Sequence, residues 1–335
     1  MTKPYLSVVI PIYNEEEVLP TLFSRLFPAL DAINKPYEVI FTNDGSKDKS
    51  IELLRQMHDK RPNEVKVINF NRNFGQHMAI MAGFEHVDGD VIVTMDADLQ
   101  NYPEDIPLLL EKIEQGHDVV GGYRMDRQDK KWRLFVSKLH NSLRLKLTGI
   151  DMVDEGCMLR AYTREVIDRV VATGENSTFL PALAHSFSSN PTDVGVRHAA
   201  REEGTSSYNL YKLIRYNFDF FANFSKAPLE FFTMTGLIVS FLSILLFIYL
   251  IVKRLAFGPD ADGVFTLFAI MYFLIGMLLM GLGIVGEYIG RIYEEVRKRP
   301  RFIIKDYITT TESKDKSHAK KTEQNEKTEN TKESE

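Results

Sequence analysis

The 335-residue sequence predicts an α/β fold, a mostly parallel sheet with helices on both faces, followed by a two-helix transmembrane hairpin. Three observations predict it. Residues 1–125 repeat a strand-then-helix rhythm, two long uncharged runs lie near the C-terminus, and two basic amphipathic stretches fall between them.

Strands rich in Val and Ile are read at Leu6–Tyr13, Tyr37–Thr42, Val65–Phe70, Asp90–Met95 and Asp118–Gly121. Helices are read at Glu15–Ala32, Asp48–Lys60, Gln76–His86 and Pro103–Gln115. Pro103 falls where a first helical turn tolerates proline, and Glu104 and Asp105 follow to suit the helix dipole. Such alternation implies parallel strands joined by crossovers. Residues 151–200 read as further α/β material, with Asp193–His198 as an edge strand.

At 130–147, Trp132, Phe135, Val136, Leu139 and Leu143 recur at helical spacing among Lys130, Lys131, Arg133, Lys138, Arg144 and Lys146. Residues 208–226 repeat the design with Leu210, Leu213, Ile214, Phe218, Phe221 and Phe224 against Lys212, Arg215 and Lys226. Both patterns suit an anionic membrane surface, and both also suit surface helices packed on a core. Phe231–Val252 and Val264–Gly286 carry no charge, and each is long enough to cross a bilayer. Arg291, Arg297, Lys298, Arg299, Arg301 and Lys305 follow the second run. The positive-inside rule makes that flank cytoplasmic, and a hairpin then puts the N-terminal region there too. The expected organisation is a catalytic domain at 1–207, an interface helix at 208–228, the hairpin at 229–290, a basic cytoplasmic flank at 291–308 and a disordered tail at 309–335.

A net charge of −5 and a pI near 6.0 give no global argument for nucleic acid. The single cysteine, Cys157, excludes an internal disulfide and fits a reduced compartment. No signal-peptide cleavage site follows the first strand. The mean hydropathy of −0.17 conceals the concentration of apolar residues near the C-terminus.

The chemistry concentrates where strands end. Val91-Ile92-Val93 runs into Asp96-Ala97-Asp98-Leu99-Gln100, and alternation along extended backbone would aim Asp96, Asp98 and Gln100 the same way. Crowded carboxylates repel unless a cation sits between them, and this oxygen set suits Mg²⁺ or Mn²⁺. The loop after strand one carries Pro11, Tyr13, Asn14 and Glu15. The loop after strand two carries Asn43, Asp44, Gly45 and Ser46. All three lie at carboxyl ends of parallel strands, where one crevice can hold a nucleotide and a metal.

In order and spacing, SVVIPIYNEEEVLP, NDGSKD and DADLQ resemble the inverting GT-A glycosyltransferases called family 2. NRNFGQHMAIMAGFEH, DADLQNYPEDIP, GCMLRAY, STFLP and GEYIGRIYEEVRKRPRF extend the likeness to residue 305. They are similar to polyprenyl-phosphate glycosyltransferases, relatives of dolichol-phosphate mannose synthase, and above all to the bacterial enzymes that transfer 4-deoxy-4-formamido-L-arabinose to undecaprenyl phosphate for lipid A modification. Glucose- and hexosamine-transferring relatives are close behind.

The resemblance implies a UDP-sugar donor, a polyprenyl phosphate acceptor and a divalent ion at Asp96, Asp98 and Gln100. It implies nucleotide contacts from Pro11, Tyr13, Asn14, Glu15, Asp44 and Asp96. Arg124 and Arg201 would bind phosphate oxygens, and Asp154 would line the active site. It also implies a homo-oligomer, a tetramer in relatives, for which Gly276, Gly281, Gly283 and Gly286 offer a small-residue face; the same face can serve only the intrachain hairpin. Two positions depart from the pattern. Asn43 replaces a second Asp, and Ser207 replaces a Lys, so part of the acceptor-phosphate role passes to Arg201, Lys212 or Arg215. His77 reads as a satisfied structural histidine. A processive polysaccharide synthase is disfavoured by having only two spans. A soluble nucleotidyltransferase is disfavoured by the hairpin, and a silent scaffold by the intact DADLQ.

Overall fold

The computed structural model describes residues 3–125, 152–154, 156–174, 179–199, 227–257, 264–297 and 299–310. The elements in chain order are β1 (Leu6–Ile12), α1 (Leu19–Asp31), β2 (Tyr37–Asn43), α2 (Ser50–Lys60), β3 (Val65–Phe70), α3 (Gln76–Phe84) and β4 (Val91–Thr94). A 3₁₀ turn at Pro103–Asp105 leads into α4 (Ile106–Glu114), then β5 (Val119–Arg124), β6 (Arg160–Thr163), α5 (Arg164–Thr173), α6 (Leu180–Ser186) and β7 (Pro191–Val196). Two long helices, α7 (Ala227–Phe257) and α8 (Val264–Val296), precede a final strand, β8 (Ile304–Ile308).

The strands form one eight-stranded sheet in the order β7-β5-β6-β4-β1-β2-β3-β8. β1 pairs in parallel with β2 and β4, β2 with β3, and β5 with β7. β6 runs antiparallel to both β4 and β5, and β8 antiparallel to β3. The sheet is therefore mostly parallel, as the alternation predicts.

Alternate residues of β1 bury on opposite faces, the period-two consequence of a sheet covered on both sides. Val8 and Ile10 join Leu22, Leu26, Leu54 and Leu109 from α1, α2 and α4. Val9 joins Ile80, Phe84, Ile167 and Leu183 from α3, α5 and α6.

Beyond the sheet, α7 and α8 expose apolar side chains along their length, including Leu237, Phe241, Tyr272, Leu278 and Leu282. Among the described residues one helix is long and apolar enough to cross a membrane, the 21-residue Ile270–Gly290 segment, of which 6% is buried. The core helix of a soluble protein would be covered, and this one is not. The two helices meet at Gly281, where a Cβ would lie 1.8 Å from the Phe232 ring, so only glycine lets them approach. Gly276, Gly283 and Gly286 have open space around them.

Two expectations change. Residues Ile304–Ile308, read as part of a basic flank, are a strand of the sheet. Their alternation, in which Ile304, Asp306 and Ile308 share one direction, is too short and too charged to stand out. Helix α1 begins at Leu19 rather than Glu15, because Pro20 suits a first turn and residues 14–18 are drawn off into a loop. The expected amphipathic helices at 130–147 and 208–226, and the tail beyond Thr310, lie outside the described residues.

Candidate active site

The carboxyl ends of β1, β2, β3 and β4 open on one cleft of about 390 Å³, within the range of small-molecule sites. It is lined by Pro11, Ile12, Tyr13, Glu15, Asp44, Asn73, Gly75, Gln76, Asp96, Ala97 and Asp98. Four of these side chains are acidic and none is basic.

Backbone geometry builds the cleft. Asp44 is buried, and its two oxygens accept from the backbone N–H of Phe74 at 2.6 Å and Gly75 at 2.9 Å. Burial nevertheless outweighs those bonds and raises its carboxyl above the ordinary range. Gly45 takes φ +67°, and a Cβ there would sit 2.4 Å from the Arg72 carbonyl carbon. The turn after β2 can press on the loop after β3 only because residue 45 is glycine. Asn14, at φ +56°, accepts from Lys47 N–H at 2.8 Å and gives its own N–H to Ser46 Oγ at 2.9 Å. Its amide thus ties two loops together and does not line the cleft.

Asp96 accepts from Gln76 Nε2 at 2.6 Å. Burial, then the negative charges of Asp98 and Glu15, push its carboxyl up to about 7. The extended alternation expected for 96–100 is not what the chain does. β4 ends at Thr94, Leu99 adopts φ +59°, and Asp98 accepts from Gln100 N–H at 3.1 Å. That turn keeps Asp96 and Asp98 in the cleft and leaves Gln100 off its lining.

A second centre lies at the end of β5. Arg124 forks onto Asp154, Nε to Oδ2 at 2.6 Å and Nη2 to Oδ1 at 2.8 Å. Asp154 is buried, which would raise its carboxyl, but the bonds and charge of Arg124 hold it below the usual value. Its loop is gripped from beneath by Arg160, fully buried in β6, which donates to the carbonyls of Asp154 at 2.5 Å and Cys157 at 2.8 Å. His198, bridged to Asn101 just after β7, feels the charges of Arg124, Asp98 and Asp154. Burial, then Arg124, lowers its pKa.

Residues 7–171 match the family model described as glycosyl transferase family 2, and residues 227–292 match the GtrB C-terminal hairpin. Undecaprenyl-phosphate 4-deoxy-4-formamido-L-arabinose transferase of Edwardsiella ictaluri is 46% identical over 309 residues, covering 92% of this chain and 95% of that protein. The chain belongs to glycosyl transferase family 2. The enzyme of the same name from Proteus mirabilis is 47% identical over 305 residues, 90% of this chain and 94% of its own. Among solved structures, glucosyl-3-phosphoglycerate synthase from Mycobacterium tuberculosis with Mn²⁺, UDP and phosphoglyceric acid aligns at a TM-score of 0.46 and 18% identity, over 65% of this chain and 76% of that one.

In this family 2 glycosyltransferase the fold brings Pro11, Tyr13, Glu15, Asp44, Asp96 and Asp98 together in the cleft. It pairs Arg124 with Asp154, one sheet position beyond β6. Arg201, Lys212 and Arg215 lie outside the described residues. His77 is not fully satisfied: its Nδ1 is buried without a hydrogen-bond partner, and its ring stands edge-on to Phe179 at 5.5 Å.

The reading from sequence missed Asn73 and Gln76 in the cleft and His198 between the two centres. The first two had a signal, since NRNFGQ follows the third parallel strand at the same carboxyl edge. His198 had none, because antiparallel pairing with Asn101 places it.

The oxygen donors fit a hard divalent cation. Among the described residues no three Asp, Glu, His or Cys side chains close into a cage. One or two carboxylates completed by substrate phosphates are the usual arrangement for Mg²⁺.

Proposed function

We propose that this glycosyltransferase moves a sugar from a UDP-sugar to undecaprenyl phosphate at the inner face of a bacterial cytoplasmic membrane, inverting the anomeric carbon. The sugar proposed is 4-deoxy-4-formamido-L-arabinose, as in the names of the E. ictaluri and P. mirabilis relatives. One observation carries the reading. A cleft with four acidic and no basic lining side chains would repel a diphosphate, and its central carboxyl, Asp96, is raised to about 7 by desolvation and then by the charges of Asp98 and Glu15.

Asp96 and Asp98 would hold Mg²⁺ or Mn²⁺, which supplies charge stabilisation for the leaving UDP; Gln100, turned off the cleft lining, is not among its holders. Tyr13 and Pro11 form the apolar wall for the base, with Asp44 and Glu15 as polar partners. Arg124, already oriented by Asp154, would bind the acceptor phosphate, a role that the sequence also assigns to Arg201, Lys212 and Arg215. A phosphate monoester is anionic at neutral pH, with a second pKa of about 6, so it needs placement more than a strong base.

The topology of the chain supports the membrane placement. α7 and α8 leave and return to one sheet, since β8 follows α8 and pairs with β3. Two crossings by the hairpin put both of its ends, and the sheet, on one side, and the Arg- and Lys-rich exit makes that side cytoplasmic. Assembly as a homo-tetramer would use the open glycines of α8.

Purified full-length protein in detergent would be given undecaprenyl phosphate, Mn²⁺ and a panel of UDP-sugars, and the glycolipid identified by mass. The formamido-arabinose donor is expected to be preferred over UDP-glucose and UDP-N-acetylhexosamines. Preference for another sugar would correct the substrate, and no glycolipid from any donor would overturn the reading.

A further inference from the structure

The strand that follows the hairpin is joined to the donor cleft by a line of hydrogen bonds that is buried at its centre. Asn69 Nδ2, on β3, donates to Asp306 Oδ2 on β8 at 3.0 Å. Asn43 Nδ2, at the end of β2, donates to Asn69 Oδ1 at 2.8 Å. Ser46 Oγ donates to Asn43 Oδ1 at 2.5 Å, and the backbone N–H of Asn14 donates to Ser46 Oγ at 2.9 Å. Asn43 and Asn69 are 1% and 7% exposed, so water cannot readily replace these partners.

Every donor in this line points the same way, and that direction carries information. An amide side chain fits a site equally well in either of two flips, and its neighbours decide which is adopted. Asp306 is a carboxylate that only accepts, so it fixes the Nδ2 of Asn69 toward itself. Asn69 Oδ1 then requires a donor from residue 43, and Asn43 Oδ1 is left to receive Ser46. The sequence departure at residue 43 acquires a reason: an Asp there could not donate to Asn69 Oδ1.

We propose that Asp306 is a positioning residue for donor binding. It acts through Asn69, Asn43 and Ser46 on the Asn14 turn, which carries Tyr13 and Glu15 into the cleft. The strand anchored at the exit of the hairpin thereby sets the shape of the nucleotide site. This rests on the cleft being the UDP-sugar site.

The test uses the full chain in detergent and measures Mn²⁺-dependent UDP binding, donor and acceptor KM, kcat and thermal midpoint. Asp306→Leu and Asn43→Asp are each expected to raise donor KM and UDP Kd roughly tenfold, the scale of one hydrogen bond to a charged group. Acceptor KM should stay unchanged. In the Asn43→Asp/Asp306→Asn double variant, Asn69 can flip, donating to residue 43 and accepting from residue 306. The double variant is expected to recover UDP affinity, which a purely structural role does not foresee. Arg55→Ala removes the other side-chain partner of Asp306, at 3.2 Å, without touching the line, and should leave donor KM as it is.

Wild-type donor KM in Asp306→Leu, with only the thermal midpoint lowered, would overturn the proposal. So would a double variant no better than Asn43→Asp alone. A wild-type protein that does not bind UDP would instead overturn the reading of the cleft.

Discussion

Two carboxylates at the same edge of the sheet, Asp96 half-buried and Asp154 buried, are shifted in opposite directions. Asp96, at the end of β4, sits among Asp98 and Glu15 and is raised to about 7, with burial the largest cause. Asp154, beside β5, is buried more completely but is forked by Arg124 and held below its ordinary value. Burial acts the same way on both, so the partner decides the sign. The difference separates two kinds of anion handling. Under the proposed function, the Arg124 side would meet the acceptor phosphate with a cation already in the fold, whereas the cleft, with no basic lining side chain, would take its cation from solution with the diphosphate.

The largest effect expected from breaking this contrast is at the donor side. Asp98→Ala should cut transfer by about 10²–10³-fold, the scale of losing one preorganised electrostatic contact to the transition state. The far-ultraviolet circular dichroism spectrum should be unchanged.

On the acceptor side the same kind of cut should harm the fold as well. Arg124→Ala leaves Asp154 buried without its guanidinium and should cost about 3 kcal/mol, the low end of the buried-pair range because the Arg124 side chain is 25% exposed. The Arg124→Ala/Asp154→Ala double variant should be destabilised by less than the sum of the two single variants, a coupling that thermal unfolding will read.

Gly45→Ala tests whether the donor side is held by backbone packing. With φ +67° and the Arg72 backbone at 2.4 Å, it should lose about 1–3 kcal/mol of stability and weaken UDP binding.

The smallest effect sharpens the contrast through pH. Because Asp96 is raised when folded, the unfolded chain ionises first, and metal-free protein should lose stability as pH rises from about 4 through 7. Asp154 has the opposite sign: its contribution is present above the ordinary value of 3.8 and is lost as pH falls through its lower folded value. In EDTA the thermal midpoint should therefore decline between about pH 5 and 7, and Asp96→Asn should flatten that decline.

Most of the parallel half of the fold was legible because Val- and Ile-rich strands alternate with amphipathic helices. Val65–Phe70 matches its expected bounds, and β1, β2, β4 and β5 agree to within three residues at each end. What escaped depends on pairing partners distant in sequence. β6 and β8 are short antiparallel strands, Arg160–Thr163 and Ile304–Ile308, whose existence is set by the edges they join. The same holds in the site. Pro11, Tyr13, Glu15, Asp44, Asp96 and Asp98 could be named from loops that follow apolar runs. The pairing of Arg124 with Asp154 and the placement of His198 come from β5, β6 and β7 meeting across the sheet.

The most direct test of the donor side's dependence on an external cation is a titration of UDP into the full chain at pH 7.5, with Mn²⁺ and then with EDTA. Binding that needs Mn²⁺ and disappears in Asp96→Ala is the expected result. Equal UDP affinity with and without the metal would contradict the account.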